Sequence, residues 1–168
     1  MTTTINASTS SGLVVTPDNS GNVLLQYNGQ SAPAFFAYAT TNQTVTASSD
    51  TKILFDTEQF DTNNNFASNR FTPTVAGYYQ ISCSISITNA VTGYAALYPW
   101  KNGSRYGQFA EVTLTTASYN SVGNSMLIYF NGTTDYLEMY LNAGNAAVIY
   151  GNSSQIFTYF SGCLLRGA

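Results

Sequence analysis

The sequence contains no histidine. That removes the usual general base, the commonest zinc ligand and every Ser–His or Cys–His nucleophile pair. No glycine-rich phosphate loop follows a strand pattern, and no Cys-x-x-Cys occurs. The carboxylates that stand close together are Asp56, Glu58 and Asp61, followed by Asn63, Asn64 and Asn65. Oxygen ligands of this kind suit calcium, although the EF-hand spacing and its glycine are missing. A solvated or hydrogen-bonded acidic loop is the plainer reading and carries more weight. A glycosidase needs two converging carboxylates, and this cluster is the one local candidate. The expectation is a protein without catalysis and without a cofactor, with calcium at Asp56, Glu58 and Asp61 as the weaker alternative.

Two further groups carry chemistry. Tyr94, Tyr98, Trp100 and Tyr106 lie among polar neighbours and beside the Asn102-Gly103 turn. Such rings stack on sugars, and they also pack in cores and interfaces, which is the commoner fate of large side chains. Cys83 and Cys163 each sit in strand-like sequence. Free, buried thiols are expected, with a cross-strand disulfide as the alternative.

Composition limits the partners. Charged residues are 8% of the 168, far below the roughly 25% of an ordinary domain. The net charge is −3, and Lys52, Arg70, Lys101, Arg105 and Arg166 are scattered. Nucleic acid needs a clustered basic patch and a polybasic membrane anchor needs a run, so neither is expected. The apolar runs 34–39 and 95–100 are too short to span a bilayer. The start, MTTTINAST, has neither a basic nor an apolar signal region, which predicts a chain made in a cytoplasm and not secreted by a signal peptide. A chain with so few charges is also poorly protected against association, which is tolerable where association is the purpose.

The elements that must position these residues read as strands. Asn, Ser and Thr number 17, 18 and 22, and Tyr and Phe 13 and 10, a mixture suited to pleated surfaces and turns. No helical spacing of apolar residues is sustained. The clearest strand is 79–87: Tyr79, Ile81, Cys83, Ile85 and Ile87 face one way, Gln80, Ser82, Ser84 and Ser86 the other. It predicts one dry face and one wet or interfacial face. Further runs cover 34–39, 51–55, 94–101, 121–130, 136–141, 146–150 and 156–165. Asn102-Gly103, Asn131-Gly132, Gly144-Asn145 and Gly151-Asn152 punctuate them. The fold class is all-β, a sandwich or barrel.

Residues 1–32 read as a separate arm and 33–168 as the main domain. Within the arm, Gly12–Thr16 and Asn22–Gln26 flank a Pro17–Gly21 turn and predict a small hairpin. Two strands alone are unstable in water, so Leu13, Val14, Val15, Val23, Leu24 and Leu25 are expected to pack on another surface.

Three segments in order resemble the globular heads of the C1q and tumour-necrosis-factor superfamily. Ala34-Phe35-Phe36-Ala37-Tyr38 is similar to the family's opening strand. Ile53–Asp56, Phe66, Phe71-Thr72-Pro73 and Ala76–Ile81 resemble its central signature, with Gly-x-Tyr at its heart. Phe160–Leu165 resembles its closing Phe-Ser-Gly strand, with Cys163 where an aromatic is usual. The resemblance spans about residues 34–165. It implies a ten-strand jelly roll that trimerises about a threefold axis through aromatic faces. No Gly-X-Y collagen stalk is present.

Residues 12–26 resemble segments of tailed-bacteriophage virion proteins, which sets the expected function. It is a homotrimeric capsid decoration, or cement, protein located in the virion and bound to the major capsid protein or another virion protein. The alternative is the tip of a phage fibre that binds a host-surface glycan or receptor.

Overall fold

The computed structural model describes residues 26–27, 30–89, 92–116 and 119–168. Sixteen strands occur among them: β1 Gln26–Tyr27, β2 Gln30–Ser31, β3 Ala34–Tyr38, β4 Gln43–Val45, β5 Thr51–Lys52, β6 Thr57–Asp61, β7 Phe66–Ala67 and β8 Arg70–Phe71. They continue with β9 Gly77–Thr88, β10 Gly93–Lys101, β11 Ser104–Arg105, β12 Ala110–Leu114, β13 Asn120–Phe130, β14 Leu137–Ala143, β15 Ala147–Ile149 and β16 Tyr159–Gly167. No helix appears among the described residues, so none is long and apolar enough to cross a membrane. Ten strands span three residues or more and carry the jelly-roll plan; the other six are two-residue ladders.

The strands form two facing seven-stranded sheets and one separate pair, β1 with β2. The front sheet runs β4-β15-β9-β16-β3-β6, with β13 on the other side of β9. The back sheet runs β11-β10-β14-β8-β7, with β12 on β10 and β5 on β14. All the strand ladders are antiparallel.

The alternation expected of β9 holds except at Ser86, which is buried as well. Tyr79, Ile81, Cys83, Ile85 and Ile87 are buried, while Tyr78, Gln80, Ser82 and Ser84 face outward. The inward residues meet a core of phenylalanines. Phe35 stacks on Phe71 at 4.3 Å and on Phe66 at 5.1 Å, and meets Phe160 edge-on at 4.9 Å. Phe71 in turn touches Tyr79 at 5.5 Å and Phe130 at 5.7 Å. Offset and edge-to-face pairs at these distances add about 0.5–1.5 kcal/mol each beyond burial. The Tyr79 hydroxyl, carried into the core, donates to the Val75 carbonyl at 2.8 Å. Gly77 admits the chain to β9, as expected: a β-carbon there would run into the Arg166 carbonyl oxygen and the Leu164 side chain.

The turns are partly as read. Asn102 and Gly103 take φ of 55° and 80°, the two positive values that a two-residue hairpin needs between Lys101 and Ser104. Ser68 and Asn69, at φ 53° and 59°, make the same kind of turn between β7 and β8 without glycine. The strand expected over 51–55 is regular only at Thr51–Lys52, because beyond it β14 is held by a single backbone bond from Ile53 N–H to Met139.

Candidate functional site

The outward face of the front sheet carries rows of uncharged residues. Its cross-strand register aligns Leu127, Gln80, Cys163 and Ala34 in one row. The next holds Ser125, Ser82, Ser161, Phe36 and Phe60, and the third Gly123, Ser84, Tyr159 and Tyr38. None of these residues is charged, and Phe60 and Leu127 are 47% and 57% exposed. Tyr78 and Tyr129, 5.3 Å apart, extend the apolar surface at one end. Exposed aromatic area without charges is the signature of a surface that meets another protein.

The back sheet presents the opposite character. Register places Tyr98 beside Tyr140 and Trp100 beside Glu138. The Trp100 and Tyr140 rings stack at 4.4 Å, and the Arg105 guanidinium lies 3.7 Å from the centre of the Tyr98 ring. Tyr94, 40% exposed, donates from its hydroxyl to Asn142 Oδ1 at 2.9 Å. The structure thus brings Tyr94, Tyr98 and Trp100 onto one face. Tyr106 sits past β11, 50% exposed, with the Lys101 ammonium 5.9 Å from its ring. The rings already have partners: Arg105 takes a face of Tyr98, and Tyr140 a face of Trp100. The Trp100 Nε1–H is buried without an acceptor.

Glu138 is buried at the centre of the same sheet and accepts from Lys52 Nζ at 2.7 Å and Arg70 Nε at 2.9 Å. Burial pushes its carboxyl toward a higher pKa. The two cationic hydrogen bonds outweigh that and hold it below the ordinary carboxylate value. Asp50, bonded to Asn142 and Arg105, and Asp135, bonded to Asn102 and Lys101, are lowered by the same balance. A carboxylate lowered in the fold contributes stability above its unfolded pKa and loses it as pH falls through the folded one. Thermal midpoints should therefore stay flat above about pH 5 and fall below about pH 4. Glu138→Gln should make that acid limb shallower; an unchanged limb would assign the effect to other groups.

The acidic cluster of the sequence is not a loop and does not converge. Thr57–Asp61 is strand β6, paired with β3. The Asp56 carboxylate accepts from the Thr40 and Thr41 backbone N–H at 2.7 and 3.1 Å and from both hydroxyls at 2.8 and 2.6 Å. Asp61 accepts from the Phe66 N–H at 2.7 Å and the Asn63 N–H at 3.3 Å, while Glu58 is exposed. Asp56 and Asp61 serve as backbone caps. Among the described residues no three of His, Cys, Asp or Glu gather where an ion could be held.

The cysteines lie on neighbouring strands but on opposite faces. Cys83 stands opposite Phe160 in the core, and Cys163 opposite Gln80 outside. Both are free. Burial pushes the Cys83 thiol well above its ordinary value, which makes it inert. The expectation of burial fails for Cys163, which is exposed because one odd-numbered register step moves a side chain to the other face. Leu13, Val14, Val15, Val23, Leu24 and Leu25 lie outside the described residues.

The pattern of the C1q domain matches residues 34–165, which hold both sheets. The chain belongs to the C1q domain family. A search of curated proteins finds no match to it. Among solved structures, the C1q domain here is similar to the globular domain of zebrafish complement 1qA protein. That comparison gives 16% identity and a TM-score of 0.59, over 81% of this chain and 99% of the other. Murine APRIL at pH 5.0 matches at 11% identity and a TM-score of 0.58, over 80% and 99%. Eiger TNF from S. frugiperda matches at 14% and 0.51, over 82% and 94%. Identities this low establish a shared jelly roll and no more.

Proposed function

We propose that the chain acts without catalysis as a homotrimer, with the uncharged face of the front sheet as the contact between copies. The observation that carries this reading is the aromatic surface around Phe36, Phe60 and Tyr159, free of charge across three cross-strand rows. The C1q/TNF-like jelly roll is consistent with trimeric assembly, and its domains are generally not enzymes. Of the carboxylates that suggested chemistry, Asp56 and Asp61 accept from backbone N–H groups.

In its finer form the function is decoration of a tailed-phage capsid, with the virion as location. The apolar residues of the arm, from Leu13 to Leu25, would grip the major capsid protein or another virion protein. Deleting residues 1–29 should leave a soluble trimer that no longer binds capsids. Full capsid decoration by the truncated chain would contradict the arm's role. A fibre tip binding a host-surface glycan or receptor is the second reading, favoured by one observation: Tyr94, Tyr98 and Trp100 share the back-sheet face. In that case purified trimer should block adsorption, and Trp100→Ala or Tyr98→Ala should abolish the block.

A further inference from the structure

The chain carries three Asn-Gly pairs, at 28–29, 102–103 and 131–132, the first of them outside the described residues. An asparagine before glycine is open to a reaction that needs only water. The glycine nitrogen bonds to the asparagine Cγ, since no side chain on glycine hinders the approach. The amide nitrogen leaves as ammonia, taking the glycine N–H proton. Water then opens the imide ring at either carbonyl, giving aspartate or isoaspartate. The fold treats the two described pairs differently. Asn102 is tied to residues 135 and 136 at three atoms. Its N–H donates to the Tyr136 carbonyl at 3.1 Å, its Oδ1 accepts from the Tyr136 N–H at 2.9 Å, and its Nδ2 donates to Asp135 Oδ1 at 2.7 Å. Asn131 uses its Oδ1 to accept from the N–H groups of Thr133, Thr134 and Asp135, while its Nδ2 donates to the Thr134 hydroxyl at 2.8 Å.

We propose that Asn102-Gly103 is a deamidation site gated by the fold: shielded in the closed turn, reactive once the turn opens, and barred from closing again after conversion. In the closed turn both ends of the carboxamide are held by the residues that lead into β14, so Cγ is not free to swing onto the Gly103 nitrogen. Conversion to aspartate replaces Nδ2, a donor, with an oxygen set 2.7 Å from Asp135 Oδ1. Two carboxylates in such contact cannot both ionise without a large cost. The cation that faces them is Lys101, which already lies 2.9 Å from Asp135 Oδ2 and donates to the Tyr129 carbonyl at 2.8 Å. The titratable rings around the pair are Tyr106 and Tyr129, near Lys101, and Tyr136, beside Gly103. Isoaspartate fails for a different reason, because its extra backbone carbon does not fit a two-residue turn between Lys101 and Ser104. Aspartate at position 131 is tolerated instead. Its Oδ1 keeps every bond it accepts, and the Thr134 hydroxyl turns round to donate to the other oxygen.

The test holds the full-length chain at mildly alkaline pH in two samples, one native and one in urea. Peptide mapping by mass spectrometry then reads the conversion at each Asn-Gly pair. Asn102 should convert roughly ten-fold or more faster in urea, because in the native sample the reaction waits on opening of the turn. After dilution from urea, the refolded fraction should be depleted in converted Asn102. Equal rates in the two samples, or a refolded fraction as converted as the whole, would overturn the gating. Asn102→Asp and Asn131→Asp isolate the aspartate form. At pH 7 Asn102→Asp should lower the thermal midpoint by roughly 4 °C or more, whereas Asn131→Asp should stay within about 2 °C of wild type. The clash raises the folded pKa of the carboxylate pair, so stability is lost as pH rises and regained as it falls. The gap between Asn102→Asp and wild type, measured at the same pH, should therefore close on acidification toward about pH 4. A variant that does not fold at pH 7 should fold on the same acidification. Equal midpoints for the two variants, a gap that does not change with pH, or a chain unfolded throughout would overturn the clash with Asp135.

Discussion

Phe35→Ala is expected to cost the fold about 3–5 kcal/mol, the range for emptying a buried aromatic site. Phe35 is 1% exposed and touches Phe66, Phe71 and Phe160, so it joins strands of both sheets in one stack. Its backbone stays pinned between β16 and β6, which limits collapse into the space left behind. For a domain of this size the loss lowers the thermal midpoint by roughly 10 °C or more. Leu54→Ala is the control: that side chain is 48% exposed, and its loss should change stability by no more than about 0.5 kcal/mol. Differential scanning calorimetry of the two variants checks the claim. Equal midpoints would mean the aromatic stack does not hold the sheets together.

Gly132→Ala should cost about 2–4 kcal/mol, combining the left-handed backbone penalty with overpacking. Gly132 has φ of 72°, and a β-carbon on it would run into the Ala76 nitrogen and the Val75 carbonyl carbon. The turn has little room to move because its neighbours are bonded across the molecule. Asn131 Oδ1 accepts from the N–H groups of Thr133, Thr134 and Asp135, each at 3.0 Å. Asp135 then accepts from Asn102 Nδ2 at 2.7 Å and pairs with Lys101 at 2.9 Å. Asn102 Oδ1 accepts from the Tyr136 N–H at 2.9 Å. The two Asn-Gly turns are therefore stitched into one unit. Gly107→Ala, where a β-carbon meets nothing within 4 Å, should be nearly neutral by the same denaturant titration. Comparable losses at both glycines would mean that neither the left-handed backbone nor the close approach at Gly132 sets the cost.

What the sequence reveals about this fold follows from period and local chemistry. The alternation of β9 reads directly, because burial on one face repeats every second residue. Asn102-Gly103 reads as a turn for the same local reason. Ser68-Asn69 escapes notice because its positive φ values are imposed by the β7–β8 pairing and not by glycine. Partners far apart in the chain escape too. Lys52 and Arg70 meet Glu138 across 86 and 68 residues, a distance over which composition carries no signal. Asp56 looks like a ligand beside Glu58 and Asp61, yet its partners are Thr40 and Thr41, fifteen or so residues back. Cys163 looks buried inside a closing strand, and only its register against Gln80 turns it outward. The aromatic tract of β10 is legible as a group. That Arg105 and Tyr140 already cover its rings is a fact of the folded sheet alone.

The uncharged serine and phenylalanine row of the front sheet bears on the central claim in a way the aromatic content does not. It leaves an uncharged face that water does not favour and that another copy of the chain can cover. Sedimentation equilibrium of the full-length chain at micromolar concentration tests this most directly. The account predicts a single species of three times the chain mass, and a monomer that persists on raising concentration would contradict it.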